Sequence, residues 1–162
     1  MMKKLIGLLC MGFIFSGCTK AKLVTNTNCT FVASTLVAPA SEVNSLKPYV
    51  MANSPTAIQD SSGVFYDITT QGTGVTPVLC SYIKVKYTGR LTNGTIFAQD
   101  LFGSTLILGN LIVGWQKSLP FLKKGGSIHL YVPPTLGYGS AGSGTVPPNA
   151  NLDFTIELVD VQ

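Results

Sequence analysis

Apolar and polar residues alternate most regularly near the C-terminal end of the chain, from Leu152 to Val159. A period of two places apolar side chains on one face of a strand and polar ones on the other, so this segment is predicted to be a strand with one buried face. Shorter segments of similar pattern predict strands over 64–69, 83–87, 106–108 and 128–132. Asn93-Gly94, between two of these segments, is typical of a tight hairpin turn with positive backbone angles.

One segment among the strands has a helical period instead. Trp115, Leu119 and Leu122 fall at i, i+4 and i+7, which predicts a helix over 114–124 that ends at a Gly-Gly pair. The predicted fold class is therefore α+β, with an antiparallel twisted sheet wrapped around one short α-helix.

A further short helix is predicted before the strands, from Glu42 to Asn53, with Ser41 as its N-cap and Pro48 as an irregularity. Its apolar side could pack on its own domain or form a dimer interface. Because a segment interrupted by proline is a poor dimerisation helix, we expect packing on its own domain and a monomeric protein.

The N-terminus has the pattern of an export signal. Lys3 and Lys4 precede an apolar run that is too short to span a bilayer, and Ser16 and Gly17 follow it. This ending, directly before Cys18, resembles a bacterial lipobox, which predicts a lipoprotein signal peptide over 1–17 and lipidation of Cys18. The alternative is an ordinary secretory signal with an incidental cysteine.

Cysteine use and charge add two expectations. Cys10 leaves with the signal and Cys18 is modified, so Cys29 and Cys80 remain as a disulfide candidate in an oxidising compartment. Loss of Lys3 and Lys4 lowers the formal net charge from +4 to +2, so nucleic acid is not an expected partner.

Several classes of active site are excluded by composition. The single histidine, His129, lies on the expected outer face of a strand, so neither a hydrolytic triad nor a zinc site can be assembled. A G-x-G-x-x-G match at 137–142 is followed by Ser, Gly and Pro residues rather than a helix, which makes it accidental. No metal and no cofactor are predicted.

Six short motifs occur in a fixed order along the second half of the chain: YTG, NGxxF, GW, VPP, YG and PP. Jointly they resemble the FKBP-type peptidyl-prolyl cis/trans isomerases, over about residues 82–162. The resemblance implies an FKBP-like fold for an isomerase domain at 77–162. An extension at 38–76, with the short helix and the first strand, and a flexible tether at 18–37 precede it.

The resemblance also implies the site residues. The catalytic pocket would be formed by Tyr87, Phe97, Ile112, Trp115, Tyr138 and Phe154, with Leu111 and Val146 as further substrate-binding residues. Trp115 would be its floor, and the Ile112 N–H and the Tyr138 hydroxyl would hold substrate carbonyls. Where the family usually has Asp directly after the pocket Phe, this chain has Ala98, with Asp100 two residues further on.

The function that these residues imply is rotation of X-Pro bonds in unfolded or proline-containing polypeptides of the cell envelope. The protein would be held by its lipid alone. By resemblance to other lipoproteins, Thr19 rather than Asp after the modified cysteine suggests the outer membrane, facing the periplasm. Two alternatives remain: a proline-binding or chaperone-like module with little turnover, and a structural lipoprotein whose aromatic residues are only core.

Overall fold

A single antiparallel sheet of six strands organises the computed structural model, which describes residues 29–162. The strands are β1 (Ile58–Gln59), β2 (Phe65–Thr70), β3 (Tyr82–Leu91), β4 (Ile96–Ile107), β5 (Gly126–Val132) and β6 (Leu152–Val161). Their spatial order is β1-β2-β5-β6-β3-β4, and every neighbouring pair is antiparallel. The predicted fold class is confirmed.

The central helix α2 is shorter than the sequence pattern predicts, because it spans only Val113–Ser118. A 3₁₀ turn, Leu119–Phe121, replaces its second half. Pro120 explains the change, since proline has no N–H to donate and its ring clashes with the preceding helical turn. The predicted apolar face survives, and Trp115, Leu119 and Leu122 are all buried.

The first helix, α1, spans Ala40–Asn53 and begins two residues earlier than predicted. Pro39 stands at its N-cap and no side chain caps it, so Ser41 does not have the predicted role. The apolar side packs on its own domain, with Leu46 and Val50 fully buried.

Three polar contacts fasten α1 to the rest of the molecule. The Glu42 carboxylate accepts hydrogen bonds from the backbone N–H and the hydroxyl of Thr135, at 2.8 and 2.7 Å. At the other end the Tyr49 hydroxyl donates to Asp153 on β6 at 2.8 Å. Burial, followed by the bond to Asp153, raises the pKa of Tyr49 to about 12. Since β2 also lies inside the sheet, the predicted extension at 38–76 shares one core with the domain that follows.

The strand β4 is longer than the predicted segment at 106–108, because it begins directly after the hairpin at 92–95. In that hairpin only Gly94 has a positive φ, of 88°, and Asn93 does not. The Asn93 side chain instead accepts a hydrogen bond from the Thr95 N–H at 3.0 Å, so it stabilises the turn through its carbonyl oxygen.

Three contacts join the residues from Cys29 to Val37 to the domain, although all of these residues except Ser34 are exposed. Cys29 is bonded to Cys80 through a disulfide, with Cα atoms 5.6 Å apart. Phe31 lies on Gly109, where an added Cβ would come within 2.5 Å of the ring. The Lys117 ammonium donates to the Ser34 carbonyl at 2.9 Å.

The predicted signal peptide, the lipidation site at Cys18 and the first part of the tether lie outside the described residues. Within the described part of the chain, no helix is long and apolar enough to cross a membrane.

The disulfide closes a loop with a sequence separation of 51 residues. We expect Cys29→Ser to lower the free energy of unfolding by up to about 4 kcal/mol. The reason is that the bond closes a loop in the unfolded chain and so lowers the conformational entropy of the unfolded state. Urea unfolding of the variant and the wild type, without reductant, measures the difference. Identical unfolding midpoints, together with labelling of both wild-type cysteines by iodoacetamide, would show that the bond does not form.

Candidate active site

Five aromatic rings meet edge to face where α2 packs against the sheet. Trp115 contacts Tyr87 of β3 and Phe154 of β6, with ring centroids 5.2 and 5.3 Å apart. Phe97 of β4 contacts Phe154 at 5.5 Å and Tyr138 at 6.3 Å. Such arrangements bring the positive edge of one ring to the negative face of the next. The cluster is therefore a specific packing arrangement as well as an apolar one.

Two glycines let these rings come together. An added Cβ at Gly89 would lie 2.7 Å from the Phe97 ring and 2.8 Å from the Phe154 ring, closer than any real Cβ contact. At Gly114 it would lie 2.6 Å from Val132 on β5. The G of YTG keeps β3 clear of the rings, and the G of GW lets α2 approach the sheet.

The rings border a cavity of about 90 Å³. Its lining residues are Tyr87, Ala98, Leu106, Leu111, Ile112, Trp115, Tyr138 and Phe154. Ligand pockets for drug-sized molecules and cofactors usually measure about 300 to 1,000 Å³, so this cavity fits one small apolar group. None of the eight lining side chains carries a charge at neutral pH.

The floor of the cavity is Trp115, which is almost wholly buried. Within the described residues its indole N–H has no hydrogen-bond partner. A buried donor without an acceptor is costly, so the floor is an apolar surface with one unpaired polar atom.

One wall is the extended segment before α2, which contains Leu111 and Ile112. The Ile112 carbonyl accepts hydrogen bonds from the N–H groups of Trp115 and Gln116 at 3.0 and 3.2 Å. The Gln116 side-chain amide donates to the carbonyls of Gly109 and Leu111 at 3.1 and 2.7 Å. These hydrogen bonds hold the wall segment in place, although the side chains of Leu111 and Ile112 are themselves apolar.

Opposite this wall, Tyr138 lies on a loop that is held by backbone bonds. The Gly139 N–H donates to the Pro134 carbonyl at 2.8 Å, and the Gly139 carbonyl accepts from Asn149 at 2.9 Å. Burial, and then the nearby phenol of Tyr87, raise the pKa of Tyr138. Its hydroxyl therefore keeps its proton at neutral pH and can donate it in a hydrogen bond.

The predicted pocket residues line the cavity, with the exception of Phe97 and Val146. Phe97 supports Tyr138 and Phe154 from behind and does not line the cavity. Val146 is buried in the Tyr138 loop, bridged to Ser143, and also does not line the cavity. Leu106 and Gln116 were missed: the alternation of β4 could have indicated Leu106, but no pattern indicates the Gln116 hydrogen bonds.

Ala98 and Asp100 differ in role. Ala98 lines the cavity, whereas the Asp100 carboxylate accepts hydrogen bonds from the N–H groups of Phe102 and Gly103, at 2.9 and 2.8 Å, and from the Ser104 hydroxyl. These bonds, the one from Ser104 first, lower the pKa of Asp100. Because its oxygens are engaged in a turn of its own strand, Asp100 does not replace the missing carboxylate in the cavity.

The remaining motifs form no second site. His129 is half-buried on the outer face of β5, paired in register with Asp67 and Thr155. The glycine-rich stretch 137–142 forms turns rather than the start of a helix. Across residues 29–162, no three His, Cys, Asp or Glu residues cluster as metal ligands would.

A larger cavity, of about 320 Å³, lies between residues 33–34 and residues 77–79. Its one charged lining residue is Lys117, whose ammonium already donates to the Ser34 carbonyl. It lacks the aromatic walls of the smaller cavity, which remains the better candidate for a binding site.

Comparison with known proteins agrees with this geometry. A probable FKBP-type peptidyl-prolyl cis-trans isomerase of Haemophilus influenzae is 39% identical over 104 residues, which are 62% of this chain and 43% of the relative. The chain thus spans less than half the length of this curated relative.

Two solved structures confirm the FKBP-like fold. The crystal structure of FkpA from Escherichia coli matches with a TM-score of 0.69 and 32% identity, over 76% of this chain and 58% of that chain. A peptidyl-prolyl cis-trans isomerase from Pseudomonas syringae matches with a TM-score of 0.67 and 30% identity, over 77% of this chain and 97% of that chain. The model of the FKBP-type peptidyl-prolyl cis-trans isomerases matches residues 74–159. The chain belongs to the FKBP-type peptidyl-prolyl cis-trans isomerase family.

Proposed function

We propose that this protein catalyses cis/trans rotation about X-Pro bonds in unfolded polypeptides. The observation that carries the proposal is the cavity of about 90 Å³, which is large enough for one proline ring and is walled by aromatic and aliphatic side chains. Family membership agrees with the same activity.

The chemical task is to break amide resonance. The barrier to rotation is about 20 kcal/mol, and uncatalysed exchange of an X-Pro bond takes about 10 to 100 s. No covalent bond forms or breaks, so neither a nucleophile nor a proton donor is required. A site without such groups is consistent with this reaction.

The pocket can favour the twisted amide over the planar one. A planar amide has strong charge separation and is well solvated by water. The twisted amide has less charge separation, so it loses less solvation free energy on entering an apolar site. This difference stabilises the transition state relative to the bound substrate. Trp115 and Phe154, both almost wholly buried, supply the apolar surface.

Two polar groups would hold the chain while the bond rotates. The Tyr138 hydroxyl, kept protonated by its raised pKa, can donate to one substrate carbonyl. The Ile112 N–H, in the wall that Gln116 fastens, can donate to another. Holding the proline ring and the neighbouring carbonyls leaves rotation as the remaining motion.

A proline-binding module with little turnover is a second candidate, favoured by Ala98. The carboxylate that the family usually places there is missing, and Asp100 is engaged elsewhere. Such a module would bind proline segments through the same cavity but leave their isomerisation at the spontaneous rate.

For the location we propose the cell envelope, with a lipid on Cys18 as the only attachment to the membrane, and the periplasmic face of the outer membrane as the site of action. The support is the short apolar run that ends in Ser16-Gly17-Cys18.

Partners would be unfolded or proline-containing envelope proteins, which a monomer with an open apolar cavity can accept; nucleic acid is not among them.

The activity is tested on the tetrapeptide Ala-Leu-Pro-Phe in a protease-coupled assay, where the wild type should exceed the spontaneous rate. We expect Tyr138→Phe to lower kcat/KM by about 2- to 10-fold, since one hydrogen bond contributes roughly 0.5 to 1.5 kcal/mol. Tyr66→Phe is the matched control, because Tyr66 packs on Phe121 and does not line the cavity. If the wild type left isomerisation of the tetrapeptide at its spontaneous rate, the binding module would be supported instead. Equal losses of kcat/KM in both variants would show that the Tyr138 hydroxyl has no specific role in catalysis.

The pH dependence gives an independent check. The raised pKa of Tyr138 keeps the phenol neutral below its ordinary value of about 10, so kcat/KM should be flat from about pH 6 to 9. Turnover of the same tetrapeptide across that range measures it. A bell-shaped profile would indicate a general acid or base that this pocket does not provide.

The anchor is tested by fractionation of cells that produce the full chain. We expect the wild type in the membrane fraction and a form whose residues 1–18 are replaced by a cleavable secretory signal in the soluble envelope fraction, because without acyl chains the described domain has no membrane-spanning helix. Equal partition of both forms into the soluble fraction would show that Cys18 carries no lipid.

A further inference from the structure

The edge strand β4 contains a three-residue bulge, Leu101 to Gly103, that pairing with β3 does not explain. Asp100 pairs with Tyr87 and Ser104 pairs with Val85, so three residues of β4 lie opposite a single residue of β3. The residues between are pushed out of the ladder, and Gly103 has a φ of 94°.

The bulge exposes the two most apolar residues it contains. Phe102 is 94% exposed and Leu101 is 60% exposed, whereas the five rings of the aromatic cluster are buried or half-buried. An isolated apolar residue on a surface is ordinary, but two adjacent ones at the tip of a projecting turn are a candidate contact site.

This exposed conformation is held in place by polar contacts. The Asp100 carboxylate accepts from the N–H groups of Phe102 and Gly103 and from the Ser104 hydroxyl, which closes the turn at its base. On its inner side the turn lies on the alkyl chain of Lys84, 3.1 Å from the position of a Cβ at Gly103. The tip is therefore a shaped projection rather than a loose loop.

The bulge is continuous with the cavity through its own strand. Ala98 and Leu106, which flank the bulge on β4, both line the cavity. Each is four residues from Phe102 in sequence, so its Cα lies at most about 13 to 14 Å from that of Phe102. Because β4 is the last strand of the sheet, a polypeptide that leaves the cavity across this strand meets no further secondary structure.

We propose that Leu101 and Phe102 form a second contact site for the unfolded polypeptide whose proline occupies the cavity. The occupant is an extended chain with an apolar side chain three or four residues from the proline, since that spacing covers about 10 to 13 Å. The proposal rests on the proposed function and adds a substrate preference to it. A tetrapeptide is too short to use the site, so its turnover does not depend on Phe102.

The test uses two labelled ten-residue peptides that contain one X-Pro bond and carry either Leu or Ser four residues from the proline. For the full-length wild type we expect about fivefold tighter binding of the Leu peptide by fluorescence anisotropy, as partial burial of one apolar side chain provides. Phe102→Ser should bind the two peptides equally. Ile58→Ser is the matched control, because Ile58 is 58% exposed on β1 at the opposite edge of the sheet, and it should keep the preference.

Several outcomes would overturn the proposal. The first is equal binding of the two peptides by the wild type, and the second is an unchanged preference for the Leu peptide in Phe102→Ser. The third is a wild-type dimer in sedimentation that the Phe102→Ser substitution dissociates, because the bulge would then be a contact between two copies of the chain. The isomerase proposal fails separately, when the wild type leaves the tetrapeptide at its spontaneous rate while the binding preference persists.

Discussion

The packing of Trp115 between Tyr87 and Phe154 is the contact on which both the fold and the site depend. It joins the short helix α2 to the neighbouring strands β3 and β6, and these strands pair along nearly their whole length. The same ring closes the bottom of the cavity. Core and pocket are therefore not separable in this protein, because the surface that would receive a proline ring is the outer side of the packed core.

Polar residues around this core fasten the backbone segments that border the cavity. Gln116 fastens the segment of Leu111 and Ile112, and Glu42 fastens the loop that leads to Tyr138 by binding Thr135. Asp100 shapes the strand edge beside the pocket. Each of these side chains acts on backbone groups, which leaves the cavity walls free of charge and suited to a reaction that is favoured by the loss of water.

Local periodicity was enough to predict most strands of the sheet and the central helix, whereas the residues of the aromatic cluster were implied by the resemblance to the FKBP-type family. The pattern of apolar and polar positions was not enough at two places where the backbone geometry of a few residues decides. Pro120 shortens α2, and Asp100 accepts hydrogen bonds within a bulge of its own strand. In each case the relevant energy comes from a partner or a backbone geometry that a pattern of apolar and polar positions does not contain.

The central claim is that an apolar cavity rotates the X-Pro bond without moving a proton. The most direct test is the solvent isotope effect on kcat/KM for a tetrapeptide with one X-Pro bond, measured in H₂O and D₂O on the wild type. Desolvation and hydrogen bonding alone predict that kcat/KM in H₂O divided by kcat/KM in D₂O is about 1, since no proton is transferred in the transition state. A ratio of about 2 or more would contradict the account, because it would show that general acid or base catalysis limits the rate.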